Sequence, residues 1–99
     1  MDGVAYLIHK SHTRDELGQL VPKEEKIEVF VMTKSVSGKE WHEAGRNGLK
    51  ADIALITAYI NYSGETFIEY EGVRYGIYRT YHNKETDEIE LYLEKKAGT

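Results

Sequence analysis

The strongest pattern along the chain is alternation with a period of two, apolar side chains on one face and polar ones on the other. That is the mark of half-buried strands. In Glu88-Ile89-Glu90-Leu91-Tyr92-Leu93-Glu94, residues Ile89, Leu91 and Leu93 share one face, and Glu88, Glu90 and Glu94 lie opposite. In Lys26-Ile27-Glu28-Val29-Phe30-Val31-Met32, residues Ile27, Val29 and Val31 point one way and Glu28, Phe30 and Met32 the other. Phe30 and Met32 on the nominally outer side point to partial cover of that face, as by a neighbouring subunit. The same reading places strands over residues 5–10, 26–36, 51–61, 66–70, 73–81 and 88–95.

Turn chemistry links the last four of these as successive hairpins. Tyr62-Ser63-Gly64-Glu65 is a glycine-centred turn, Glu71-Gly72 a tight two-residue turn, and 83–87 a polar loop of hairpin length. Consecutive hairpins predict a mainly β fold: a small antiparallel β-barrel of about six strands, with one short helix and long loops. Two stretches break the alternation and are expected to be mobile loops, 11–25 and 38–49. The first is polar, holds Gly18 and Pro22, and contains Thr13-Arg14-Asp15-Glu16, the form of a one-turn capping box. In the second, Lys39 to Ala44 has the form of a short helix, with Ser37 or Gly38 as its cap and Gly45 as its stop.

Size and composition narrow the picture. The 99 residues make one domain, 1–99, with a modest core. There is no cysteine, which excludes disulfides and thiolate zinc sites. The N-terminus shows no basic segment followed by an apolar one, and no run is apolar enough for a membrane helix, so a soluble protein with no membrane partner is expected. The net charge of -4 falls wholly in the second half. Residues 1–50 carry eight cations and eight anions, and the rest carry five and nine. That balance lacks the basic patch of a nucleic-acid reader. Eight tyrosines suit half-buried strands and wet interfaces.

The residue types that could carry chemistry do not assemble into a reaction. His9 and His12, with Asp15 and Glu16, lack a third fixed ligand and read as a solvated strand end, so no metal is expected. Glu40, His42 and Glu43 offer acid–base groups without a nucleophile, between glycines that hold them poorly. Gly38, Gly45 and Gly48 lack the following Lys-Ser/Thr of a phosphate loop. Lys39, Arg46 and Lys50 are interleaved with Glu40 and Glu43 and make a weak phosphate patch. Trp41, the single tryptophan, reads equally as an anchor onto the barrel and as a partner contact. Tyr78-Arg79-Thr80-Tyr81 is aromatic and cationic, and cross-strand pairing with Glu88, Glu90 or Glu94 accounts for it better than base stacking. No catalytic residue and no cofactor is expected, and the protein reads as a non-enzyme.

Several segments, in order, resemble one family. Ser35-Val36-Ser37-Gly38-Lys39-Glu40-Trp41-His42-Glu43-Ala44-Gly45 looks like the segment after the second strand of phage head-closure, or head–tail joining, proteins. Thr13-Arg14-Asp15-Glu16-Leu17-Gly18, Tyr62-Ser63-Gly64-Glu65, Tyr70 through Tyr81 and Asp87 through Lys96 are similar to the same family, in the form found in phages and prophages of Gram-positive bacteria. The resemblance spans nearly the whole chain, and it rests on order and spacing because each motif alone is degenerate. It implies a structural subunit of the head–tail connector in the virion, made in the host cytoplasm. Its partners would be further copies in a ring, the portal and adaptor above, tail-completion or tail-tube proteins below, and genomic DNA passing through the channel. Carried over, the 38–49 loop would line the channel or meet a neighbouring ring, through Lys39, Glu40, Trp41, His42, Glu43 and Arg46. The reading from residues alone leaves an alternative open: a small β-barrel module that binds a peptide or an oligonucleotide.

Overall fold

The structure, a computed structural model, describes residues 2–46 and 51–95, except for the side chains at 2, 41, 43, 44, 46, 51 and 52. Its elements are β1 (Asp2–Arg14), β2 (Leu20–Lys34), α1 (Gly38–Arg46), β3 (Ala51–Ala58), a 3-10 turn (Tyr59–Asn61), β4 (Phe67–Tyr70), β5 (Val73–Asn83) and β6 (Glu88–Lys95). The six strands close into an antiparallel barrel in the order β1-β2-β3-β6-β5-β4.

The inward residues of the alternating strands form the core. Ala5 and Leu7 from β1, Val29 and Val31 from β2, Leu55 from β3, Ile68 and Tyr70 from β4, and Ile89, Leu91 and Leu93 from β6 pack as one cluster. Ile53, Tyr62, Tyr75 and Ile77 close around it. Burial of the Val, Leu and Ile side chains, each stabilising by about 1.5–3 kcal/mol, is the main force holding the barrel.

Two features of the sequence reading are corrected. The first concerns the last four strands, which are not one meander. β3 pairs with β2 and β6, whereas β4 pairs with β1 and β5. The segment from Tyr59 to Thr66 therefore crosses one end of the barrel. Glu65 anchors it there: its side chain is buried and accepts the Ser63 N–H at 2.8 Å, and the Tyr62 hydroxyl donates to the Glu65 carbonyl. Alternation fixes which face of a strand is buried but not which strand lies beside it. β6, the most regular strand, takes the place between β3 and β5.

The second correction concerns residues 11–25, which are not a loop. β1 and β2 pair without interruption from Asp2↔Met32 to Arg14↔Leu20, so most of this stretch is ladder. Only 15–19 turn. Thr13 does not cap a helix there; it pairs with Val21 in the ladder, and Asp15 shapes the turn instead. The Asp15 carboxylate accepts the N–H groups of Leu17 and Gln19, both at 2.9 Å, and Gly18 takes φ +78°. β1 meets β4 only over Ala5–Ile8, and β2 meets β3 only over Met32–Lys34. Beyond those contacts the ribbon leaves the barrel as a two-stranded arm with both faces solvated, which is why no alternation marks it. The molecule is accordingly long, 51 × 30 × 23 Å, and its radius of gyration of 15.0 Å exceeds the roughly 13 Å of a compact chain this size.

The expected helix forms and runs further than expected. Ser37 caps it, its hydroxyl accepting the Glu40 N–H at 3.1 Å. Gly45 does not stop it, and the helix continues to Arg46. Residues 47–49 of the 38–49 loop lie outside the described residues. Among the described residues, no helix is long and apolar enough to cross a membrane.

Candidate functional site

The side chains singled out by the sequence lie mostly on and around α1. Glu40 faces the barrel. Its carboxylate accepts a 2.8 Å hydrogen bond from the Tyr78 hydroxyl and is paired with the Arg79 guanidinium. A β-bulge in β5 makes both contacts possible. Ile77 opposes Leu93 and Arg79 opposes Tyr92, so Tyr78 is the extra residue. Without the bulge, adjacent residues would point to opposite faces. Arg79 also lies over the Tyr92 ring at 4.1 Å. The Tyr92 hydroxyl donates to Glu90 at 2.6 Å, and Lys34 from β2 donates to the same carboxylate at 2.9 Å. The result is a chain of polar groups, Glu40–Arg79–Tyr92–Glu90–Lys34, across the outside of β5, β6 and β2. Arg79 thus pairs with the helix, not with the β6 glutamates expected from cross-strand pairing.

The charges in this chain are mutually stabilised. Burial works against the Glu40 carboxylate, but hydrogen bonds from Arg79 and Tyr78 outweigh it and hold its pKa below the ordinary value. Burial opposes Glu90 in the same way, and Tyr92 with Lys34 brings it below the ordinary value. Burial, then the hydrogen bond to Glu40, drives the Tyr78 phenol well above its usual range. A carboxylate held ionised between a guanidinium and a phenol fixes the helix to the barrel. The geometry gives it that role.

Lys39 and His42 are exposed on α1. The side chains of Trp41, Glu43 and Arg46, and all of Lys50, lie outside the described residues, so the structure brings together Glu40 with Tyr78 and Arg79, a combination the sequence reading did not make. His9 and His12 sit on opposite faces of β1. His9 lies 3.6 Å from the buried Glu65, while His12 is exposed opposite Pro22. Among the described residues, no three His, Asp or Glu side chains converge as metal ligands.

Two surfaces stand out that the sequence reading marked only in part. One is the arm tip, where Leu17 is 83% exposed and Leu20 62%, with Val21 beside them. These three apolar residues lie inside a stretch that reads as polar, and only their isolation there could have flagged them. The other is a shallow groove of about 350 Å³ lined by Gly3, Phe30, Val31, Met32, Ile56, Thr57, Ala58 and Glu88. Phe30 is 76% exposed and Met32 48%. Val4 lies directly across from Phe30, and Ile56 across from Met32, so the outward side chains form one apolar patch. Phe30 and Met32, expected under partial cover, are uncovered in the single chain.

Compared with known proteins, the chain matches no family model, no curated protein and no solved structure.

Proposed function

We propose that this chain is a structural subunit of a phage or prophage head–tail connector, of the head-closure type. In that role copies form a ring below the portal and adaptor, close the DNA channel after packaging and offer the tail its docking surface. What carries the reading is the ordered series of family-like segments, read together with the excursion between β2 and β3, where α1 is clamped to a closed barrel through Glu40. Lys39 and His42 on the exposed side of that helix, with Trp41, Glu43 and Arg46, are the proposed channel or inter-ring contacts. The acidic balance suits a passage that must not hold DNA, because like charge repels phosphate. The reading requires no catalysis, metal or cofactor.

The test is genetic complementation. Deleting the gene in its phage should leave heads that lose DNA or fail to join tails, and supplying the protein should restore both. Heads that retain DNA and join tails without the protein would end the proposal.

One observation favours a second reading, a module that binds an extended peptide. On the side facing β3, β2 has a strand neighbour only over Met32–Lys34, so its edge from residue 20 to 31 has no strand partner among the described residues. An edge of that kind accepts an added strand. Selection of peptides from a random library on the immobilised protein would identify such a ligand. Protection of β2 amides from hydrogen exchange would place it on that edge.

A further inference from the structure

We infer that the open edge of β2 takes an extended basic peptide in which an apolar residue stands two positions before a lysine or arginine, the apolar side chain entering the groove beside Phe30. This deepens the peptide-binding reading and rests on it.

The edge is defined by its backbone. Thr57 of β3 donates to the Phe30 carbonyl, so that carbonyl lies on the β3 side of β2. Alternate residues of a strand turn their backbone groups to the same side, so Glu28, Lys26 and Glu24 present an N–H and a C=O there as well. β3 does not meet them: it pairs with β2 only at Met32–Lys34 and then turns off through Tyr59–Asn61. Pro22, with no N–H to offer, ends the usable edge toward the arm tip. A strand laid along Glu24–Glu28 in the direction of β3 runs antiparallel to β2, and its N-terminal end points into the groove where the two strands part. Its residue opposite Glu28 shares the outer face with Phe30, and the residue two before it reaches the groove.

Charge selects what lies there. Each cation of β2 is already matched, Lys23 by Glu25 at 3.2 Å, Lys26 by Glu69 at 3.0 Å and Lys34 by Glu90 at 2.9 Å. Arg74 holds Glu24. Among the described residues, Glu28 beside Phe30 and Glu88 in the groove wall have no cationic partner. The adjoining turn from Lys84 to Asp87 adds two carboxylates against one lysine. A cation opposite Glu28 pairs with it and lays its methylenes along the Phe30 ring. A second copy's β2 edge fits poorly. Its outward residues include Glu24 and Glu28 but a single lysine, Lys26, and the antiparallel register that sets Lys26 against Glu28 sets Glu24 against Phe30.

The probe is a labelled peptide capped at both ends, Thr-Leu-Thr-Arg-Thr-Val-Thr, titrated with the full chain to about 1 mM and followed by fluorescence anisotropy. It should bind, and added salt should weaken it. Glutamate in place of its arginine should weaken binding about tenfold, as an attraction becomes a repulsion. Glu28→Lys should reverse that preference, and Phe30→Ser should weaken both peptides. Both substitutions alter exposed side chains, and circular dichroism with thermal unfolding checks that each variant is folded. N-methylation of the peptide's arginine or valine, whose N–H groups face β2, should abolish binding, while N-methylation of the threonine between them should not. Hydrogen exchange should slow at Glu24, Lys26 and Glu28.

Binding indifferent to the exchange of arginine for glutamate, or a Glu28→Lys chain that keeps the original preference, overturns the inference. If β2 amides are protected in either case, the broader peptide-binding reading survives it. A chain that binds neither peptide overturns the inference as well, and the library selection then decides the broader reading. Protection of β2 amides without peptide, in a chain that sediments above 11.4 kDa, would put a second copy on the edge and overturn it too.

Discussion

The Tyr78 hydroxyl donates a 2.8 Å hydrogen bond to the carboxylate of Glu40, tying α1 to the bulged strand β5. Glu40 stands three residues after the helix cap Ser37, where a glutamate often reaches back to the cap's own N–H. Here it turns to the barrel and takes Tyr78 and Arg79 instead. Glu40→Ala should therefore release the helix. A hydrogen bond to a charged group is worth about 1.5–3 kcal/mol, and Arg79 is 45% exposed, which reduces the gain through solvent screening. The expected loss is about 1–2 kcal/mol in chemical denaturation, with Glu40→Gln losing less because it still accepts from Tyr78.

Acid should weaken the fold through the same groups. Glu40 and Glu90 both have lowered pKa values in the folded chain, so below the ordinary carboxylate value of about 4.3 the unfolded chain binds more protons than the folded one. Their contribution is complete above that value and is lost as pH falls through the lowered folded values. Thermal midpoints measured from about pH 7 down to about pH 3 should fall, and the fall should be shallower for Glu40→Gln, which cannot titrate there. An equal slope in the variant would mean that Glu40 is not stabilised as an anion.

The barrel was legible where one face of a strand is buried. β6 follows the alternation from Glu88 to Glu94, and its inward Ile89, Leu91 and Leu93 are core. The arm was not legible, because cross-strand neighbours such as Ser11 with Lys23 and Lys10 with Glu24 leave both of its faces polar, and a period of two cannot appear. Nor was the clamp on α1. The sequence placed Glu40 in a short helix and Arg79 on a strand, but their meeting depends on the bulge at Tyr78, a one-residue shift that composition does not encode. Residue pairing across the barrel followed the same limit: Glu71-Gly72 correctly marked the β4–β5 hairpin, while the similar signal at Ser63-Gly64 marked a crossing.

Thr57 provides a further test, at the narrow seam between β2 and β3. Backbone pairing there stops at Met32, and the buried Thr57 hydroxyl donates to the Phe30 carbonyl at 2.8 Å just beyond it. The same hydroxyl accepts from Asn61 at 3.0 Å, which ties the 3-10 turn to the seam. Thr57→Val keeps the shape and removes both bonds. It should cost about 1–2 kcal/mol, seen as a thermal midpoint lower by about 4–8 °C per kcal/mol. No change would show that water replaces the hydroxyl without loss.

One substitution should act with opposite signs at two glycines. Gly72 closes the β4–β5 hairpin at φ +78°, beside Glu71 at φ 51°, the arrangement of a turn with two left-handed residues. Alanine at Gly72 meets nothing within 4 Å, so its cost is the backbone alone, about 1–2 kcal/mol. Gly45 lies within α1, likewise with open space around it and without a positive φ. Gly45→Ala should stabilise the helix by about 0.5–1 kcal/mol. Urea unfolding of the two variants decides both signs.

The arm can be loosened without unfolding the barrel. Both terminal nitrogens of the Arg74 guanidinium reach the Glu24 carboxylate, at 3.0 and 3.4 Å, which pins β2 of the arm against β5. Arg74 also lies 5.9 Å from the Phe67 ring, over which Lys10 of β1 sits at 4.4 Å. None of these groups belongs to the buried cluster, and Glu24 is exposed, so the contacts order the arm more than they stabilise the core. Arg74→Ala should speed amide exchange across residues 9–14 and 20–25 several-fold, through local opening, while amides of Leu7, Val31 and Leu91 keep their protection. If those core amides accelerate equally, the arm and the barrel unfold as one unit, and the ribbon owes its order to the whole fold and not to Arg74.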